Sequence, residues 1–168
     1  MNPLRWSYRS VNFLGFLACA GLLGYAIFVQ FAQHIQPCPL CILQRLGFIL
    51  MGVLFLIAAI FKPAATGRWI IVGLIVLGGL FGIAVAARQL WLQAQPPNPF
   101  GSCGAPLNYL LQTLPIGEVV RKVFTGLGDC GEVRWRFLGM AMPFWSMVWF
   151  GLLTVWSWLG LRRRKVSF

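Results

Sequence analysis

The sequence predicts an all-α membrane protein: a bundle of four transmembrane helices with two outer loops, the second carrying short amphipathic helices at the membrane interface. Three observations carry that prediction. Of the 168 residues, 59% are hydrophobic and only 10% charged, whereas soluble domains carry about 25% charged residues. Four apolar runs approach the roughly 20 residues that a helix needs to cross the hydrocarbon. The basic residues concentrate on one side of those runs. A soluble globular enzyme and a disordered chain are both excluded. The net charge of +11, from 14 Lys+Arg against 3 Asp+Glu, raises the question of nucleic acid. The basic residues are scattered between apolar runs, however, and no recognition motif accompanies them. The expected partner is a lipid bilayer, not nucleic acid.

The spans are read at Val11–Phe31, Ile42–Phe61, Trp69–Ala87 and Phe144–Leu161, all within one membrane domain over 1–168. Helices are the expected form, since lipid leaves exposed backbone without hydrogen-bond partners. The first run has no small-residue cleavage site after it and reads as a retained span rather than a removed signal peptide. The second is interrupted by Arg45 near its start. In the third, Gly78, Gly82 and Ala86 form a ridge of small residues that lets helices approach closely, within the bundle or at a dimer face. Bundle packing is the expectation. Trp69, Trp91 and Trp145 fall near span ends, as an interfacial aromatic belt requires.

Sidedness follows from Lys and Arg. With both termini inside, the inner segments are Met1–Ser10, Lys62–Arg68 and Arg162–Phe168, and their 24 residues hold eight basic ones. The outer segments, Ala32–Cys41 and Arg88–Pro143, hold five in 66, together with Glu118, Asp129 and Glu132. Both termini are therefore expected on the inner side. In the second outer loop, Leu107, Leu110, Leu111 and Leu114 share one helical face; after Pro115, Ile116, Val119, Val120 and Val123 share another. This predicts two short amphipathic helices broken at the proline, lying on the membrane or capping the bundle.

The topology sorts the five cysteines. Cys38 and Cys41 sit where the first outer loop meets the second span, Cys103 and Cys130 lie in the second outer loop, and Cys19 is alone in mid-span. Cys19 is expected to be a small packing residue. The other four lie on the outer side, where disulfides persist. Three readings fit them. As structural staples, a Cys103–Cys130 bridge suits, but a Cys38–Cys41 bridge closes too small a loop to remove much chain entropy. As a metal site, they lack the second short-spaced pair usual in zinc sites, even with His34 nearby; no metal is expected. As a thiol–disulfide exchange centre, Cys38-Pro39-Leu40-Cys41 stands at a helix start, where the helix dipole favours a thiolate. Arg45, four residues after Cys41, shares its face, and an arginine in a span is a functional candidate. Glycines flank Cys103 and Cys130 and keep those sulfurs approachable, as partner exchange needs.

A rigid pair at the hydrocarbon edge and a mobile pair facing water suggest a relay from a water-soluble dithiol to a lipid-soluble acceptor. No haem-attachment motif, dinucleotide fingerprint or P-loop is present; the location suggests a quinone.

Gln36-Pro37-Cys38-Pro39-Leu40-Cys41-Ile42-Leu43-Gln44-Arg45, Trp91-Leu92-Gln93 before Cys103, Gly128-Asp129-Cys130, Trp135-x-Phe137-Leu138-Gly139 and Met142-Pro143 together resemble the DsbB family. Its members reoxidise DsbA at the bacterial inner membrane and pass the electrons to quinone. The resemblance covers the four spans and both outer loops. It implies a multi-pass inner-membrane protein with cytoplasmic termini, serving a DsbA-like periplasmic thiol oxidase and the membrane quinone pool, ubiquinone or menaquinone. It also implies redox disulfides Cys38–Cys41 and Cys103–Cys130. In the order of events the resemblance implies, a DsbA-like thiolate would attack Cys103 and free Cys130, which would attack Cys38, and Cys41 would be released beside the quinone with Arg45 stabilising it. The chain departs from some members in having Gln44 before the arginine, and Arg88-Gln89-Leu90 where they carry a histidine. Two alternatives remain: a quinone-linked enzyme of the vitamin K epoxide reductase kind, and a non-enzymatic membrane subunit whose disulfides are staples.

Overall fold

The structure is a computed structural model and describes residues 8–32, 34, 38–61, 63–94, 112–115, 117–118 and 136–162. Four long helices form the bundle: α1 (Tyr8–Ala32), α2 (Pro39–Phe61), α3 (Ala65–Gln93) and α4 (Met142–Arg162). All four are long and apolar enough to cross a membrane, and the chain is a multi-pass membrane protein. Large side chains such as Phe28, Phe61, Ile70, Leu77 and Val155 are each more than half exposed, which is the surface that lipid solvates.

Each helix contains the apolar run read from the sequence and extends past it. α3 is the extreme case: its 29 residues span about 44 Å, against roughly 30 Å of hydrocarbon. Hydropathy marks only the stretch that oil accepts, while backbone hydrogen bonding carries the helix on into the headgroup layer. At the other helix of interest, α2 begins at Pro39 and so takes Cys41 into its first turn. Trp69 and Trp91, near the two ends of α3, are each about half exposed (51% and 53%), as side chains bridging oil and water should be.

Successive helices pack as neighbours, α1 on α2, α2 on α3 and α3 on α4, and α4 closes the ring on α1. Short links at 33–38 and 62–64 make the first three run antiparallel. The core is built from aromatic wedges set against glycines. Phe55 of α2 is fully buried against Gly15 of α1, and Phe150 of α4 lies between Gly47 of α2 and Gly82 of α3. Phe150 also stacks on Phe48, with ring centroids 4.0 Å apart and planes 11° from parallel. A Cβ at Gly82 would come within 2.5 Å of the Phe150 ring. Of the predicted ridge, Gly82 faces α4, a Cβ at Gly78 would sit 3.5 Å from Met51 of α2, and Ala86 is buried. The ridge packs inside the bundle. Cys19 is buried in this same core beside Gly52.

Several polar side chains are tied to backbone. Arg9 Nε donates to the Ala59 carbonyl (2.9 Å) in the last turn of α2, where carbonyls lack intrahelical partners. Trp156 Nε1 donates to the Val11 carbonyl (3.0 Å) and joins α4 to α1. Before α4, the strands β1 (Arg136–Phe137) and β2 (Met140–Ala141) form a hairpin. Its turn residues, Leu138 and Gly139, have φ of 52° and 80°, the left-handed pair that a tight two-residue hairpin demands. The amphipathic helices expected over Leu107–Val123 lie mostly outside the described residues; Gln112–Thr113 and Gly117–Glu118 have helical backbone on either side of Leu114-Pro115.

Gly82→Leu is expected to lower the thermal midpoint of the purified protein in detergent, since overpacking a core costs about 1–3 kcal/mol. Gly21→Leu, where nothing lies within 4 Å of a Cβ, is expected to leave the midpoint almost unchanged. Equal shifts for the two variants would contradict the packing described.

Candidate functional site

The start of α2 is shaped by its own sequence. The Ile42 N–H donates to the Cys38 carbonyl (3.1 Å), which makes Cys38 the N-cap and Pro39 the first helical residue. Proline suits that position because its missing N–H would have had no partner there. The Cys38 sulfur then does what a capping hydroxyl does in other helices: it accepts the Cys41 N–H at 3.3 Å. Leu40, with 0% exposure, anchors the turn in the core between the two half-buried cysteines. The spacing therefore folds Cys38 back over Cys41. Their Sγ atoms lie 2.7 Å apart and are not bonded to one another in this structure.

Two glutamines complete the site. Gln89 of α3 donates from Nε2 to both sulfurs, to Cys41 Sγ at 3.2 Å and Cys38 Sγ at 3.4 Å. Its own Oε1 accepts from Gln44 Nε2 of α2 at 2.8 Å. Both side chains are buried, at 3% and 5% exposure. An amide at this depth costs several kcal/mol if left unpaired; Gln44 is held by Gln89, and Gln89 by Gln44 and the two sulfurs. The antiparallel run of α2 and α3 brings the first turns of one level with the last turns of the other.

Arg45 lies one turn beyond Cys41, as its spacing required, but its guanidinium is turned to α1. Nη1 donates to Gln30 Oε1 and Nη2 to the Ala26 carbonyl (3.2 Å). A cation there also faces the negative end of the α1 dipole. Arg88 sits over the Trp91 ring, 4.3 Å from its centroid, so of the three residues Arg88-Gln89-Leu90 it is Gln89 whose amide meets the sulfurs. Cys19 packs in the core. His34 is exposed, with a left-handed φ of 50° just past the end of α1. Cys103 and Cys130 lie outside the described residues.

Sequence reasoning singled out Cys38, Cys41 and Arg45 but gave no role to Gln44 or Gln89. The available signal was two glutamines at the outer ends of neighbouring spans, Gln44 near the start of the second and Gln89 two residues past the third. Polar side chains in such places bond across helices. Which helix faces they occupy is a matter of packing, which the sequence does not display.

The arrangement is a pair of thiols in bonding reach at the mouth of a membrane-spanning helix, with the Gln89 amide donating to both. Comparison with known proteins agrees with that chemistry. The profile of the family described as "Disulfide bond formation protein DsbB" matches residues 8–160. A protein named disulfide bond formation protein B from Xanthomonas axonopodis pv. citri is 49% identical over 169 residues, covering 99% of this chain and 98% of the relative. Proteins of the same name from Xanthomonas euvesicatoria pv. vesicatoria (48% identical, with the same coverage) and Xylella fastidiosa (47% over 175 residues, 100% and 99%) are similar throughout. A match this long, across every span and both loops, is one of family as well as fold: the chain belongs to the DsbB family of disulfide bond formation proteins.

Proposed function

We propose that the chain is a protein-thiol:quinone oxidoreductase that reoxidises a DsbA-like periplasmic dithiol protein. It works as a single membrane domain of the bacterial inner membrane with both termini cytoplasmic. The reading rests on one observation above all. Two thiols stand 2.7 Å apart at the first turn of a membrane-spanning helix, where both an aqueous thiol and a lipid-soluble acceptor reach them.

Each exchange step is attack by a thiolate on a disulfide sulfur. The client's thiolate attacks Cys103 of a Cys103–Cys130 disulfide, forms a mixed disulfide and leaves the electron pair on Cys130. Cys130 attacks Cys38 Sγ; the Cys38–Cys41 bond breaks and its electron pair stays on Cys41. The client's second thiolate attacks its own mixed-disulfide sulfur, departs as a disulfide and frees Cys103. Cys103 then attacks Cys130, which restores the outer disulfide and returns Cys38 as a thiolate. The net result is a client disulfide and a reduced Cys38/Cys41 pair.

A quinone's ring oxygens accept hydrogen bonds, and the Arg45 guanidinium at this end of the bundle is a donor of the type they take. Arg45 and Cys41 would hold the ring. Bound ubiquinone or menaquinone supplies a sink for two electrons and two protons, which lets the Cys38–Cys41 disulfide re-form. Arg45 also contributes positive charge near the sulfur that becomes anionic.

Anaerobic mixing of the purified chain with a reduced DsbA-type protein and a quinone, followed by quinone absorbance, tests the reading. Cys38→Ser and Cys41→Ser are each expected to reduce turnover to background. Client oxidation at the wild-type rate in either variant would establish the disulfides as staples and sink the proposal. Arg45→Gln is expected to slow quinone reduction about 10- to 100-fold, the effect of losing one charge-assisted donor, while expression stays unchanged. Unaltered quinone kinetics would remove the arginine from the site. A reporter fused after Pro99 is expected to be active only if matured in the periplasm; a cytoplasmic signal would reverse the orientation.

A further inference from the structure

The two buried glutamines are arranged with a definite polarity. Gln44 donates to Gln89 Oε1, so the carbonyl end of the Gln89 amide is taken and its NH2 end is the one presented to the sulfurs. An amide nitrogen carries two hydrogens, and two sulfurs receive them, at 3.2 and 3.4 Å. Were the amide reversed, its oxygen would face the lone pairs of any thiolate or disulfide sulfur, which has no hydrogen to donate. With the Arg45 guanidinium directed at Gln30 and the Ala26 carbonyl, the side-chain donor that reaches both sulfurs is a neutral amide, beside the Cys41 N–H on Cys38 Sγ.

A donor matters most when the acceptor becomes charged. As an incoming thiolate bonds to Cys38 Sγ, the Cys38–Cys41 bond breaks. Its electron pair, with the negative charge the attacker brought, comes to rest on Cys41 Sγ. That atom is the nearer of the two to Gln89 Nε2. In a half-buried site at a membrane edge, water screens the charge poorly, and a preplaced N–H needs no reorganisation at the moment of reaction. We infer that Gln89 is a catalytic residue, the hydrogen-bond donor that receives the leaving thiolate of Cys41, and that Gln44 is a positioning residue that fixes the direction of the Gln89 amide. This assignment rests on the thiol-exchange reading above and adds to it the residues that stabilise the sulfur.

The test uses the full-length chain in detergent, with Cys103→Ser and Cys130→Ser introduced so that only Cys38 and Cys41 exchange. Its readout is the disulfide–dithiol equilibrium of that pair in dithiothreitol buffers at alkaline pH, without quinone, together with the rate at which dithiothreitol attacks the disulfide. Gln89→Met keeps the side-chain length and removes the donor. It is expected to shift the equilibrium about tenfold toward the disulfide and to slow attack by a similar factor. Gln44→Met is expected to shift both in the same direction by less. In the Gln89→Met background it is expected to add nothing, because it acts only through that amide. Wild-type values for Gln89→Met would overturn the donor role, and fully additive effects would overturn the positioning role.

A second measurement needs no substitution at either glutamine. The side-chain amide proton resonances of Gln89, in 15N-glutamine-labelled protein, are expected to move downfield when the pair is reduced. Resonances that stay in place would overturn the assignment even if Gln89→Met does not fold. These results separate from the fate of the wider proposal, which Cys38→Ser decides: turnover lost in that variant with an unperturbed Gln89→Met equilibrium would remove the glutamine and leave the relay standing.

Discussion

A bilayer offers no hydrogen-bond partner, and every polar atom on a spanning segment must find one within the chain. That constraint organises this molecule at each level. It makes the four apolar runs helical and pushes their polar residues to the two ends. At one end Arg9 takes the Ala59 carbonyl, and Arg68 lies over the Tyr8 ring. At the other, Gln44, Gln89 and the two cysteines form one hydrogen-bonded group across α2 and α3, and Arg45 separately ties α2 to Gln30 of α1. The end of the bundle that carries the cysteine pair is thus also where its helices are joined by polar contacts.

Between the ends, lipid tails are as apolar as the side chains they meet, so burying hydrophobic surface adds little to helix association in the membrane. Close packing takes its place. Phe55 and Phe150 have no Cβ opposite them at Gly15, Gly47 and Gly82, and the rings approach backbone directly. The proposed relay calls for a donor fixed at 3.2 and 3.4 Å from two sulfurs, and such packing gives it a firm base. Helix α3 is where the two functions meet: Gly82 seats the core wedge, and two turns later Gln89 reaches the thiols.

Cys38 serves the local fold and the chemistry together. As N-cap its sulfur accepts the Cys41 N–H, which draws the two sulfurs together before any bond forms between them. The helix dipole and the orphan N–H groups of the first turn favour negative charge at the same place. Pro39 commits the chain to starting the helix there. Four residues therefore build a thiol pair from backbone rules alone, and α3 supplies the donor that those rules do not provide.

How much of this was legible in the sequence depends on the range of the interaction concerned. The four spans, the cysteine pair at a helix start and the place of Arg45 one turn on follow from hydropathy, charge and i+4 spacing, all of which act within a few residues along the chain. Cys19 was read correctly as packing because a lone small residue amid alanines has nothing local to react with. The direction of Arg45 toward α1 and the meeting of Gln44 with Gln89 across 45 residues were decided only by tertiary structure. They depend on which faces of α1, α2 and α3 turn toward one another, and that rotation is set by aromatic wedges and glycine notches distributed over the whole bundle. A helix carries its periodicity in its own sequence, but its azimuth belongs to its neighbours.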